Sequence, residues 1–213
     1  MPKIIPIIEG QGEIDAVPTL LYKIWHDLQQ WQWQVGKPFR ANSLGRLKKY
    51  LASLLRKASN RKDCRALLIL LDLDDGCAVE SAKQLAEEIR KLNLAQPVAI
   101  VFAVREYEAW FLASLPTIVG HHSLPSDLIY EGDVEGKRDV KGWFAKRMLP
   151  SKRYNPTTHQ KLFTSLIDVE LAYEHSRSFR RLYHAIEQLL EAAESGERGY
   201  VSPVIEEEGG AQG

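Results

Sequence analysis

Cysteine is almost absent. Cys64 and Cys77 are the only two in 213 residues, and their spacing makes neither a C-x-x-C pair nor a metal-ligand pattern, so a disulfide framework and a cysteine-based zinc site are excluded. Net charge is absent too: 28 basic residues balance 28 acidic ones, and any binding of nucleic acid or anionic membrane must rest on local patches rather than on a global field. No apolar run approaches the ~20 residues a bilayer-spanning helix needs, and no basic leader precedes an apolar stretch at the N-terminus. A soluble protein of the reducing cytoplasm, with no membrane contact, is expected. The catalytic signatures G-x-x-x-x-G-K-[ST], G-x-G-x-x-G and G-x-S-x-G do not occur. The six histidines show no H-x-x-x-H spacing, which argues against a histidine-rich metal centre.

What the chain does contain is apolar runs alternating with helical patterns. Ile4 to Ile8 is short and β-branched and ends in EGQGE; Ala66 to Leu71 and the stretch PVAIVFAV from Pro97 to Val104 are two further apolar runs. Each reads as a buried strand. Pro6 is awkward inside the first, because proline cannot donate to a ladder. Between the runs, Ile14, Val17, Leu20, Leu21 and Ile24 recur at helical spacing, as do Leu44, Leu47, Leu51 and Leu55, and Ala82, Leu85, Ala86 and Ile89. Asp75 is placed to cap the third of these helices. Strands and helices in this alternation imply right-handed crossovers, hence an α/β fold with an open, mainly parallel sheet covered by helices on both faces. Residues 1–115 should form this core. Residues 116–194 should add a loop and a helical C-terminal extension, with Asn155-Pro156 opening one helix and Ser176 or Ser178 opening the last. From 195 to 213 glycine and glutamate prevail, and a disordered tail is expected.

The chemistry concentrates where the strands end. In LLILLDLDDG, Leu67 to Gly76, five apolar residues lead into Asp72, Asp74 and Asp75. Positions i and i+2 of an extended chain point to one side, so Asp72 and Asp74 can converge. Ligands of open α/β sheets bind beyond the carboxyl ends of the strands, and Glu9 ends the first strand. An isolated D-x-D is as often a turn or a cap. Joined by Glu9, it becomes a cluster of carboxylates that repel unless protons or a divalent cation intervene, and hard oxygen ligands suit Mg²⁺ or Mn²⁺. Glu106 and Glu108 in REYEAW follow the PVAIVFAV strand at the same edge and can complete a metal site, Glu108 ahead of Glu106.

Strand–EGxxE–helix followed by strand–DxDDG–helix resembles the Toprim domain of topoisomerases, bacterial primases and nucleases of the overcoming-lysogenization-defect kind. IIEGQGE, LLDLDDG, REYEAWFLAS and the later YNPTTHQ and SRSFRRL are similar to a stand-alone bacterial branch, the domain-of-unknown-function family 4276. The resemblance covers nearly everything up to about Leu190. It implies that Glu9, Asp72 and Asp74 bind Mg²⁺ or Mn²⁺ and support phosphodiester hydrolysis on DNA or RNA; Asp75, Glu106 and Glu108, by their position at the same edge, are further candidate ligands. It also implies an antiviral defence role beside an ATPase partner.

Positive charge is local. Lys37 to Arg65 carries ten basic residues against the single acid Asp63, a surface suited to a nucleic-acid backbone or simply a solvated helix face. Lys37 and Arg40 there, and Lys141, Lys152 and Arg153 further on, are the candidate phosphate contacts. Tyr154 is a conceivable nucleophile that nothing singles out. Two rival readings stand beside the nuclease. One is a non-catalytic module whose acidic crevice holds an ion, a nucleotide or a partner protein. The other is a phosphoacceptor using Asp72, weakened because no lysine is evident near the end of the last parallel strand.

Overall fold

The computed structural model describes residues 1–201. Among them the chain runs β1 (Lys3–Ile8), α1 (Glu13–Asp27), β2 (Gln34–Val35), β3 (Phe39–Arg40), α2 (Leu44–Ser59), β4 (Cys64–Leu73), α3 (Ala78–Lys91) and β5 (Pro97–Val104). There follow α4 (Ala109–Ala113), α5 (Leu115–Ile118), α6 (Val140–Ala145), α7 (Pro156–Leu166), α8 (Val169–His175), α9 (Arg177–Ser195) and β6 (Gly199–Tyr200). The sheet order is β2-β1-β4-β5-β6, with β3 also pairing β1, and every pairing is parallel. The expected α/β class, with a mainly parallel sheet between helices and helices at the C-terminal end, is the observed one.

Period-2 alternation divides the strand residues between two cores. Ile4, Ile8, Leu68, Leu70, Ala99 and Val101 face one side, where α1 and the helices from α4 to α9 pack; Ile5, Ile7, Leu67, Ile69, Ile100 and Phe102 face the other, under α2 and α3. With both faces covered, the strands need no polar alternation, which is why they read as continuous apolar runs.

The awkward proline has a simple resolution. The carbonyls of Ile4 and Ile8 accept hydrogen bonds from Gly36 and Ala41, on the side of β2 and β3. By the same alternation the Pro6 nitrogen faces the gap between those two short strands, where no ladder bond is lost. Between α1 and α2 the chain therefore pairs with β1 in two short pieces, β2 and β3, on either side of Lys37-Pro38.

Two expectations need correction. Asp75 does not cap α3: Cys77 occupies that position with no side-chain cap bond, because Gly76 at φ +104° turns the chain between them. The tail expected to be disordered from 195 is ordered at its start. Ser195 ends α9, Gly196 caps it in the left-handed conformation, and Gly199–Tyr200 pairs with Pro97–Val98. The remainder of that expectation, 202–213, lies outside the described residues. None of the described helices is long and apolar enough to cross a membrane.

Candidate functional site

From β1 the chain crosses through α1 to β2 on one flank, then returns through α2 to β4 on the other. Crossovers on opposite faces leave a crevice at the carboxyl ends of β1 and β4, the switch point where open α/β sheets take ligands. Glu9 follows β1 and Asp72 lies one residue before the end of β4. The structure thus brings these two sequence candidates together at the crevice.

Burial and the charges of Asp72 and Asp74 push the Glu9 pKa up to about 7, against the opposing pull of the Asp72 backbone N–H and of Lys141. Asp72 Oδ1 accepts the Tyr107 N–H at 2.8 Å. This bond ties the turn after β5 to the end of β4. Burial raises the Asp72 pKa to about 6 against the opposing pull of Lys141. Asp74, past the end of the strand, is exposed. It lines a 160 Å³ cavity with Arg105, Glu106, Arg138 and Asp139.

Lys141 stands inside the acidic cluster. Its Nζ lies 3.4 Å from Asp72 Oδ2, 3.6 Å from Glu106 Oε1 and 3.5 Å from Glu108 Oε2. Burial opposes its charge, but the three carboxylates outweigh burial and drive its pKa up. The side chain is delivered by α6, whose start is fixed twice. Asp139, in the left-handed conformation, caps the Gly142 N–H, and Glu106 Oε2 accepts the Lys141 N–H at 3.0 Å. Sequence reasoning put Lys141 among the phosphate contacts; in the structure its ammonium is the counter-ion of these three carboxylates.

Glu108 is wholly buried. Its Oε1 accepts the Tyr154 hydroxyl at 3.0 Å and the Gln160 amide at 2.9 Å, while Oε2 has, among the described residues, no hydrogen bond and only the Lys141 ion pair. Burial and neighbouring acids raise its pKa to about 7. Tyr154, whose own ionisation burial also disfavours, is a neutral donor to Glu108 and not a free nucleophile.

Glu13 was missed as a site residue. It is buried in the first turn of α1 and accepts the backbone N–H groups of Glu9 and Gly10, each at 3.0 Å. It shapes the turn that carries Glu9, and burial together with Asp72 lifts its pKa to about 8. The signal was available: an acid at the start of an apolar helix, able to reach back to preceding N–H groups as in a capping box. Gln160 and the role of Tyr154 carry no local signal, since their partner lies about fifty residues away.

Asp75 belongs elsewhere. It is exposed and pairs with Arg105 at 2.8 Å and Arg138 at 2.6 Å, and these partners lower its pKa. Arg40 donates to Gln11 Oε1 at 2.6 Å, which places it at the rim of the Glu9 turn. Lys37, Lys152 and Arg153 are exposed, the last two just before Tyr154.

The donor set is carboxylate oxygen throughout, the chemistry of a hard divalent cation, and Glu108 Oε2 is a buried oxygen without a hydrogen bond. These residues fit Mg²⁺ or Mn²⁺ in kind. Among the described residues, however, no three acidic, histidine or cysteine side chains are already drawn together around a metal position.

The family model Domain of unknown function (DUF4276) matches residues 8–187. The chain belongs to that family. Glu9, Glu13, Asp72, Asp74, Glu106, Glu108 and Lys141 all fall within the DUF4276 match. No curated protein and no solved structure matches the chain.

Proposed function

We propose that this DUF4276 protein is a Mg²⁺- or Mn²⁺-dependent nuclease, related to the Toprim domains, that hydrolyses phosphodiester bonds in DNA or RNA. The observation that carries this reading is the position of Glu9 and Asp72 on either side of the switch point. With Asp74, Glu13, Glu106 and Glu108 they make an acidic excess that one ammonium, Lys141, does not balance. Asp72 and Asp74 would hold the cation, with Glu9 either joining them or managing the proton of the attacking water, and Glu106 or Glu108 serving a second. The bound ion supplies polarisation of the phosphate and relief of charge on the leaving oxygen. Glu9, titrating near neutrality, is suited to accept the proton of the attacking water at its carboxylate. Lys141 is the ammonium at hand for charge on the scissile phosphate.

An ATPase partner and a defence role belong to the proposal through the Toprim resemblance. A cytoplasmic setting is supported by Cys64 and Cys77, both free thiols.

The test is cleavage of DNA and RNA by the parent and by Asp72→Asn/Asp74→Asn, with Mg²⁺ or Mn²⁺ and in EDTA. The parent should cleave only with metal, and the variant should lose roughly 10²-fold or more. Equal cleavage by a folded variant overturns the reading. One observation favours the non-catalytic module: the Lys141 ammonium itself neutralises part of the cluster. Calorimetric Mg²⁺ binding with no turnover of DNA or RNA would select it.

A further inference from the structure

The sign of charge along α2 is uniform. Leu44–Ser59 contains no acidic residue, and Lys37 to Arg65 holds ten of the 28 basic residues and one of the 28 acidic ones. Leu47, Leu51, Leu55 and Ala58 bury the inner face. On the outer face Arg46, Lys49, Tyr50, Ser53, Lys57 and Asn60 follow one another at spacings of three, four, seven, eleven and fourteen residues from the first. That spacing forms one stripe.

Solvated helix faces ordinarily mix signs, so that i,i+4 pairs offset like-charge repulsion. Here no offset is visible. Arg46, Lys49, Arg56 and Lys57 have no ion pair among the described residues, and Lys48 is bonded only to the neutral amide of Gln84, at 2.9 Å. The first turn of α2 lacks an acid and carries Arg46 instead, against the helix dipole. Tyr50 is 45% exposed amid the stripe, with Arg46 at 5.8 Å and Lys49 at 5.3 Å from its ring centroid. Cations interleaved with an exposed aromatic are the composition of a nucleic-acid surface. Nothing in the fold of α2 requires them, since its packing face is purely apolar.

The stripe also leads to the acidic crevice. Ala41 and Asn42, immediately before α2, donate their N–H groups to the carbonyls of Ile8 and Glu9 at 2.7 and 3.2 Å. The N-terminal end of α2 is thereby stitched to the turn bearing Glu9, with Arg40 at the rim.

We infer that the outer face of α2, from Arg46 to Asn60, is a docking track for the phosphate backbone of a nucleic acid, feeding it to the Glu9–Asp72 crevice. This rests on the nuclease reading for its direction, and supplies what that reading lacks, a place where the substrate lies. At 1.5 Å per residue the track is about 21 Å long, which spans on the order of six phosphates of one strand.

The test uses the full chain as Arg46→Gln/Lys49→Gln/Lys57→Gln, three exposed positions whose neutralisation leaves the packing face untouched. Fluorescence anisotropy with DNA and RNA oligonucleotides, single and double stranded, is read across salt concentrations in EDTA, where cleavage plays no part. The parent should bind, and the variant should lose about tenfold or more in affinity, its salt slope falling by roughly two to three. Binding by the variant with the parent's affinity and slope overturns the inference. So does absence of binding by the parent, or equal parent affinity for a polyglutamate peptide, which would mark an acidic protein as the partner. The two readings fail separately. Intact, α2-dependent binding without metal-dependent cleavage sinks the nuclease alone, and cleavage indifferent to the triple variant sinks the track alone.

Discussion

The ammonium of Lys141 lies 3.5 Å from Oε2 of Glu108, a carboxylate with no exposure to solvent. Asp72 and Glu106 share the same ammonium, so removing it strands three acids together. A fully buried pair broken from one side costs about 3–5 kcal/mol. Lys141 is 35% exposed, and solvent screening reduces the expected loss for Lys141→Met to roughly 2 kcal/mol at pH 8. At pH 5 the loss should shrink, because the acids take up protons. Urea unfolding at both pH values measures it, and Mg²⁺ should recover more stability in the variant than in the parent. A variant as stable as the parent at pH 8 would show that Lys141 is not the counter-ion of the cluster.

The cluster fixes the direction of the pH dependence. Glu9 and Glu108 titrate near 7, Asp72 near 6 and Glu13 near 8, all above their ordinary values, chiefly through burial. Between about pH 4 and 8 the folded chain therefore holds more protons than the unfolded chain, so stability falls as pH rises. Lys141 is raised as well. Its contribution is fully present throughout that window and does not reverse the slope. The thermal midpoint in EDTA should drop from pH 5 to pH 8, and Glu9→Gln or Asp72→Asn should flatten the profile. A parent whose midpoint climbs over that range would refute the raised acids. Mg²⁺ should also lessen the drop, since a cation favours the ionised forms.

Strand ends were legible in the sequence because a buried parallel strand writes itself as an uninterrupted apolar run, and an acid after such a run stands out. Glu9, Asp72 and Glu108 were found that way. Lys141 was found as a residue but not in its role. It reaches Asp72 from 69 positions away, on a helix oriented by the left-handed cap of Asp139, and no spacing rule reports that. Strands β2, β3 and β6 are two residues each, too short to show a period. Asp75 misled because a helix cap and a turn residue look alike before the φ of Gly76 is known.

Asp75 and Asp72 separate cleanly by experiment. Asp75 is exposed and held by two arginines, an arrangement that contributes little in water. Asp75→Ala should leave the unfolding midpoint, Mg²⁺ affinity and cleavage at parent values, while Asp72→Asn changes all three. Loss of Mg²⁺ binding in Asp75→Ala, measured by calorimetry, would return Asp75 to the ligand set.

Gly12 governs the approach of α7 to the cluster. A Cβ at this position would overlap Gln160 Oε1 and the Pro156 carbonyl oxygen, although the backbone there is ordinary right-handed helix. The requirement is therefore closeness, not conformational freedom. Gln160 donates to Glu108 at 2.9 Å, so pushing α7 away loosens the carboxylate as well as the packing. Gly12→Ala should cost about 1–3 kcal/mol by overpacking. It should also weaken Mg²⁺ binding, as Glu108 moves with its amide donor. Gly45→Ala is the control: nothing lies within 4 Å of its added methyl, and within α2 it should stabilise by about 0.5–1 kcal/mol. Urea midpoints of the two variants moving in opposite directions would establish that α1 and α7 are in contact at Gly12. If Gly12→Ala proved neutral, the start of α7 would have to lie further from the Glu9 turn than the structure places it.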